Sequence, residues 1–353
     1  MAFQHFKNIK IQGFAACVPK NIESNENLEL LGNPDQIKNF IKSTGIKQRH
    51  TVTGTSIRTS DMCLASAEKL IEELNWDKSE IDCLIFVSQT GDYIFPATSC
   101  ILQNKLGLSN DCFTLDISLG CSGWIHGMAT IAGLIQNGGF KKGILLVGDT
   151  STMTKSPYDK SSYPLFGDAG TATAIEYVNG ADGIKVHTST DGKGHEAIII
   201  PDGGFRNFYS KDSETYSVDE DGNKRNRLQT FMDGAAVFTF GITKAPRSVM
   251  GLAKEYNINL DEVDQFVFHQ ANKFMLEKIV RKLKIPSEKV PYSLNEYGNT
   301  SCSSIPLTIV SRLSEQVKNE KLKIMTCAFG VGLSWGSIYF ETTDIVCPKV
   351  IMI

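Results

Sequence analysis

Three places in this sequence hold side chains whose type and setting suit chemistry. Cys121 lies in Asp116-Ile-Ser-Leu-Gly-Cys-Ser-Gly-Trp124, where the apolar run from Phe113 to Ile117 stops at Gly120 and a helical pattern dotted with Gly and Ala begins. A cysteine at the first turn of a helix faces unpaired backbone N–H groups and the positive end of the helix dipole, and both favour the thiolate. Gly120 and Gly123 flank it without side chains, which predicts a sharp turn and room for a substrate. The chemistry that fits is nucleophilic attack through a covalent intermediate. Against it stands the ordinary fate of a free cysteine, a small buried hydrophobe.

His269 follows the apolar run Phe266-Val-Phe268 and precedes Gln270-Ala-Asn272, which opens a helical pattern. The carboxyl end of a buried strand is where α/β proteins bind ligands, although a lone histidine is more often structural. Asn299 sits in Asn295-Glu-Tyr-Gly-Asn-Thr-Ser-Cys-Ser-Ser304, a loop feeding a helix that starts with serines, where a cap or turn is the plainer role. Phe329-Gly-Val-Gly-Leu-Ser-Trp-Gly336 reads as a tight hairpin, because it lacks the strand-to-helix context of a phosphate-binding loop.

The elements that must position these residues alternate strand and helix. Residues 6–18 read as a strand, and helical patterns cover 25–31, 35–43 and 59–74. The short runs at Ile81–Ser88 and Ile144–Gly148 suit strands buried on both faces, with helices expected over 97–106 and from Cys121 to Gly139. Such alternation predicts an α/β fold with largely parallel central strands. The second half repeats the first: Ser79-Glu-Ile-Asp-Cys-Leu-Ile-Phe86 lines up with Asp261-Glu-Val-Asp-Gln-Phe-Val-Phe268, and the run at 142–148 with that at 323–330. The expected division is 1–180, carrying the cysteine, and 181–353, carrying the histidine and asparagine. A polar excursion at about 202–230 is expected over the surface, near the site entrance.

Composition excludes several classes. A net charge of -3 and a pI near 6.1 give no global basic field for nucleic acid or an anionic membrane. A local patch such as Arg225-Asn-Arg227 with Lys224 would still suit phosphates or an acidic partner. Nine scattered cysteines with no CxxC pair argue against disulfides and structural zinc, and so for a reducing, cytoplasmic setting. No apolar run reaches a membrane span and the first residues lack a signal-peptide core, so a soluble protein without metal is expected.

Taken together, Asp116-Ile-Ser-Leu-Gly-Cys-Ser-Gly123, Phe166-Gly-Asp-Ala-Gly170, His269-Gln-Ala-Asn272, Tyr297-Gly-Asn-Thr-Ser301 and the glycine-rich loop at 329–336 resemble the β-ketoacyl-acyl-carrier-protein synthase III group of the thiolase superfamily. The five motifs keep order and spacing over almost the whole chain. The resemblance implies a duplicated thiolase fold, five αβαβα layers with two mixed central sheets, and a homodimer. It implies that Cys121 accepts an acyl group from a thioester. The backbone N–H groups of Cys121 and of the loop at Val331 would form an oxyanion hole, Val331 standing where a glycine is common. His269 and Asn299 would serve the decarboxylation of a malonyl thioester bound to acyl carrier protein. No cofactor is implied beyond the acyl-CoA or acyl-carrier-protein substrates.

The substrate end is less uniform. By the same resemblance Phe95 would reach from a partner subunit to the end of the acyl pocket, and Lys160 and Asn272 would contact substrate. A tryptophan and an arginine that bind the nucleotide of coenzyme A align with Asn39 and Ser43, leaving Lys42 and Lys160 as point charges. This predicts weak coenzyme A binding and a preference for carrier-bound donors, or a coenzyme A site built differently from the family pattern. The alternative is an acyltransferase of the same scaffold passing the Cys121 acyl group to a hydroxyl or amine of a sugar or secondary metabolite. A hydroxymethylglutaryl-CoA-synthase-like reading would require a carboxylate base, for which Asp92 is the candidate, and a non-catalytic binding protein would have no use for all three polar residues.

Overall fold

In a computed structural model that describes residues 2–353, the apolar runs become strands and the 3.6-residue patterns become helices that cover them, except 25–31, which forms two short 3-10 turns. The first half carries β1 (Ala2–Phe6), β2 (Ile9–Val18), β3 (Ile22–Ser24), α1 (Pro34–Thr44), β4 (Gln48–His50), α2 (Thr59–Glu73), β5 (Cys83–Val87), α3 (Thr98–Leu106), β6 (Phe113–Ile117), α4 (Gly123–Gly138), β7 (Lys142–Asp149) and β8 (Ala169–Tyr177). The second carries β9 (Ile184–Thr190), β10 (Ile198–Ile199), β11 (Ser217–Val218), β12 (Lys224–Arg225), β13 (Phe231–Met232), α5 (Gly234–Glu255), β14 (Gln265–Phe268), α6 (Lys273–Leu283), α7 (Leu294–Tyr297), α8 (Ser304–Asn319), β15 (Lys323–Gly330), β16 (Ser334–Glu341) and β17 (Ile351–Met352).

The duplication is written in the strand order. One sheet runs β17-β2-β8-β7-β5-β6 and the other β1-β9-β16-β15-β14. β2, β8, β7 and β5 correspond to β9, β16, β15 and β14: in each set two antiparallel pairings are followed by one parallel pairing. The boundary expected near Gly180 falls between β8 and β9, but both termini cross it. β1 pairs with β9, and β17 pairs with β2. The single strand expected over 6–18 is therefore two elements in different sheets, broken at Asn8, whose φ of 60° turns the chain.

Five layers result. α2 and α3 cover the outer face of the first sheet, α5 and α6 that of the second, and α4 and α8 lie between the sheets. α4 is held there by Trp124, fully buried, whose Nε1–H donates to Thr173 Oγ1 at 3.1 Å. Losing a buried side chain of this size costs about 3–5 kcal/mol. Both central helices begin where the candidate site lies, so the most buried layer fixes the reactive loops. The excursion at 202–230 packs on the connection between β7 and β8, with Thr230 N donating to Thr154 O at 2.8 Å and Ser156 Oγ to Lys224 O at 2.6 Å.

Candidate active site

Cys121 lies one residue ahead of the α4 N-cap, Ser122, at the end of the turn that leaves β6. Ser122 Oγ pairs with Ser334 Oγ at 2.6 Å, tying this turn to the hairpin between β15 and β16. The flanking glycines do more than clear a path for substrate. A Cβ on Gly120 would stand 2.3 Å from Gln89 Oε1 and 2.5 Å from Val331 Cγ1, and one on Gly123 would stand 2.8 Å from Val87 Cγ1. Their missing side chains are replaced by protein, so the expected substrate space is not at these positions. Gly330 also packs on Cys121, where a Cβ would lie 2.5 Å from Cys121 Cβ and 2.8 Å from Sγ.

The local argument for a thiolate is overridden by the surroundings. Burial, joined by the charge of Asp149, pushes the Cys121 thiol up to about 11, against the Ser301 hydroxyl and the backbone of Val331 and Cys121 itself, which favour the anion. The resting nucleophile is a thiol. Desolvation disfavours the charged form more than a helix end and three polar contacts restore it.

His269 and Asn299 are both buried, and Ser301 joins them to the sulfur. The Ser301 hydroxyl stands 4.0 Å from Cys121 Sγ, and its N–H donates to Asn299 Oδ1 at 2.9 Å. Because that bond fixes the amide oxygen, Asn299 Nδ2 remains as the free donor. The backbone of Asn299 is clamped by Leu165 O at 2.8 Å and by Gly167 N at 3.1 Å. This explains the Phe166-Gly-Asp-Ala-Gly170 motif: a Cβ on Gly167 would meet Tyr297 O at 2.2 Å, and buried Asp168 accepts from Val52 N at 2.8 Å and Thr152 N at 3.0 Å. His269 Nδ1 lies 2.7 Å from Ser304 Oγ at the start of α8, which leaves Nε2 for the site. Burial lowers the His269 imidazole to about 3, so the ring is neutral at working pH. Ser301 adopts φ 52°, a left-handed backbone uncommon for serine that concentrates strain where the three groups meet.

Beside Cys121 opens a cavity of about 330 Å³ whose walls include Gln89, Thr90, Asp149, Lys155, Thr230 and Ile198–Ile200. Asp149 is its carboxylate, and Gln89 N at 2.8 Å, Ser88 Oγ at 3.1 Å and the Cys302 thiol at 3.1 Å donate to it. Asp92 lines a different cavity with Arg58, Asp61 and Lys105. Asp149, Lys155, Gln89 and Ser301 were missed by sequence reasoning. The available signal was the polar stretch Thr150–Lys155 at the carboxyl end of a buried strand.

Of the other residues singled out, Val331 lies against the turn of Cys121. Asn272 spends its Oδ1 capping α6, accepting from Met275 N at 2.8 Å. Phe95 is 81% exposed and outside the Cys121 cavity of its own chain. Lys160 is exposed, with Nζ donating to Asp221 O at 2.8 Å, and Asn39 and Ser43 lie exposed on α1. The basic patch is consumed internally: Arg225 pairs with Asp159 at 2.9 Å and Asp219 at 2.5 Å, Arg227 with Asp202 at 2.8 Å, and Lys224 lies over the Tyr158 and Tyr216 rings. All nine cysteines are free thiols, and no helix is long and apolar enough to cross a membrane among the described residues.

Residues 115–192 match the family profile of 3-oxoacyl-[acyl-carrier-protein] synthase III, and residues 253–342 that of its C-terminal part. The chain is 33% identical to β-ketoacyl-[acyl-carrier-protein] synthase III of Rhodopirellula baltica over 96% of its own length and 99% of that protein's. The Bacteroides thetaiotaomicron synthase III 1 is 31% identical, with 95% and 96% covered. Among solved structures, 3-oxoacyl-(acyl-carrier protein) synthase of Burkholderia xenovorans superposes with a TM-score of 0.93 at 36% identity, covering 100% of this chain and 99% of that one. The synthase III of Pseudomonas aeruginosa gives a TM-score of 0.81 at 25% identity, with 96% and 99% covered.

Proposed function

This chain belongs to the β-ketoacyl-acyl-carrier-protein synthase III family, and on that premise we propose that it performs a decarboxylating Claisen condensation between an acyl group held on Cys121 and malonyl-acyl carrier protein. The observation that carries the assignment of roles is Ser301, which stands beside the Cys121 sulfur and orients Asn299, so that one residue links the nucleophile to a donor.

In the first half-reaction Cys121 attacks the thioester carbonyl, and its proton leaves on the departing thiol. The backbone N–H groups of Cys121 and Val331 stabilise the tetrahedral oxyanion. In the second, the malonyl thioester loses carbon dioxide and the bonding electrons pass into an enolate. Asn299 Nδ2 donates to its oxygen, as does His269 Nε2, which carries the proton of the neutral ring when the Ser304 hydroxyl donates to Nδ1. The enolate carbon then attacks acyl-Cys121, forming the carbon–carbon bond and releasing the thiolate, which takes up a proton. A β-ketoacyl thioester results, as in fatty-acid initiation or a related pathway. Transfer to a hydroxyl or amine would leave the paired enolate donors without a task.

Three finer readings accompany this. The chain works as a homodimer joined along β6, an edge strand with Phe113 and Leu115 40% and 37% exposed, which brings Phe95 to the neighbouring acyl pocket. Donors arrive on a carrier protein in preference to coenzyme A, in keeping with exposed Asn39 and Ser43. The setting is reducing and cytoplasmic, in keeping with nine free thiols.

The test is to supply the enzyme with an acyl thioester and malonyl-acyl carrier protein. The β-ketoacyl product and carbon dioxide should appear in equal amounts, and Cys121→Ala should form neither. Acyl transfer without release of carbon dioxide would contradict the proposal.

A further inference from the structure

Lys155, in the connection between β7 and β8, is buried and lines the cavity beside Cys121. Its Nζ donates to Thr154 Oγ1 and Thr230 Oγ1, both at 2.9 Å, and lies 4.3 Å from the centroid of the Phe166 ring. None of these partners carries a negative charge. Among the described residues no carboxylate stands within 4.0 Å of this ammonium. Asp149, Asp168 and Asp159 favour the ammonium through space without touching it, Asp149 and Asp168 accepting from the neutral donors already described and Asp159 from Arg225 at 2.9 Å. A buried ammonium that no carboxylate contacts directly has room for one more partner, and an anion arriving from outside would supply it.

The rest of the wall agrees. Gln89, Thr90, Asp149, Ser151 and Thr230 supply polar groups, while Phe166 and Ile198–Ile200 supply apolar contact. A plain alkyl chain would meet the apolar residues and leave the ammonium without a contacting anion. A chain of methylenes with a carboxylate at its far end would satisfy both.

We propose that this cavity is built for an acyl group ending in a carboxylate, a dicarboxylic acid joined to its carrier through one end, and that Lys155 reads the free end. The inference rests on the reading of Cys121 as the acyl-carrying residue. In the loading step the thioester carbonyl passes from the carrier sulfur to Cys121 Sγ, the thiol proton leaves with the carrier thiol, and the distal carboxylate is unchanged.

The experiment follows acylation of Cys121 by intact mass, using pantetheine thioesters matched in length: succinyl against butyryl, and glutaryl against pentanoyl. The wild-type enzyme should load the carboxylated member of each pair at least about ten-fold more efficiently, the smaller end of what a charge-assisted hydrogen bond confers. Lys155→Met keeps the stem and removes the charge, and should lower that ratio by roughly 10–100-fold. Thr230→Val, which removes one hydroxyl holding Nζ, should lower it less. A further readout is pH. Burial brings the Lys155 ammonium down to about 8, with Asp149, Cys121, Asp168 and Asp159 the charged or titratable groups acting on it. The cation is present below that pH and lost above it, so the wild-type preference should fall as pH rises through 8, while the ratio in Lys155→Met should stay flat. A preference for the alkyl member, or a ratio unchanged in Lys155→Met, overturns the inference while leaving Cys121 as the acyl carrier. Failure of every thioester to load Cys121 overturns the functional reading and the inference together.

Discussion

The two halves of the molecule share one order of four strands and differ most in the connections between them. β7 returns to β8 through residues 150–168, and the equivalent β15 returns to β16 through 331–333. The long path carries Ser151, Thr154, Lys155 and Phe166 and builds the cavity wall, while the short path sets Gly330 and Val331 against the nucleophile. The ends of β5 and β14 differ in the same way. Ser88, after β5, braces Asp149, whereas His269, after β14, presents a buried neutral imidazole. The duplicated sheets supply a rigid frame, and the chemistry is divided among connections that diverged on it.

Shortness is the asset of the second connection, and Gly330→Ala is the way to break it. The added methyl has no place beside Cys121, so the hairpin or the nucleophile must shift. A misplacement of about 1 Å costs on the order of 10²-fold, which should appear in the rate of Cys121 acylation. Wild-type acylation in this variant would show that the hairpin does not clamp the sulfur. A smaller effect sharpens the contrast between local and tertiary control of the thiol. With Cys121 raised to about 11, its thiolate fraction grows about ten-fold per pH unit below that value. Alkylation of Cys121 by iodoacetamide, followed by peptide mass, should rise in that proportion between pH 7 and pH 9. A plateau below pH 8 would mean that the helix end prevails over burial.

Much of the frame was legible in the sequence because it is written in local patterns. The runs that became β5, β7 and β14, the helices from α1 to α4, and the junction carrying Cys121 all follow from periodicity and from the glycines that interrupt it. What escaped depends on contacts distant in sequence. Nothing in Ala2–Phe6 says that it pairs with β9, since a strand's pattern states which face is apolar but not which sheet receives it. Gly120 and Gly123 were read as open space because their neighbours Gln89, Val331 and Val87 are brought in by other elements. The pKa of Cys121 was misjudged for the same reason: the helix end is local, while burial and Asp149 are tertiary. Arg225 and Arg227 looked free until the fold brought Asp159, Asp219 and Asp202 to them.

The division of labour between the halves is tested most directly by Asn299→Ala, assayed separately for the two half-reactions. Acyl-Cys121 formation, read by intact mass, should stay close to the wild-type rate. Release of carbon dioxide from malonyl-acyl carrier protein should fall by roughly 10²–10³-fold, the loss expected for one oxyanion donor. Equal damage to both steps, or decarboxylation at the wild-type rate, would contradict the assignment of Asn299 to the enolate.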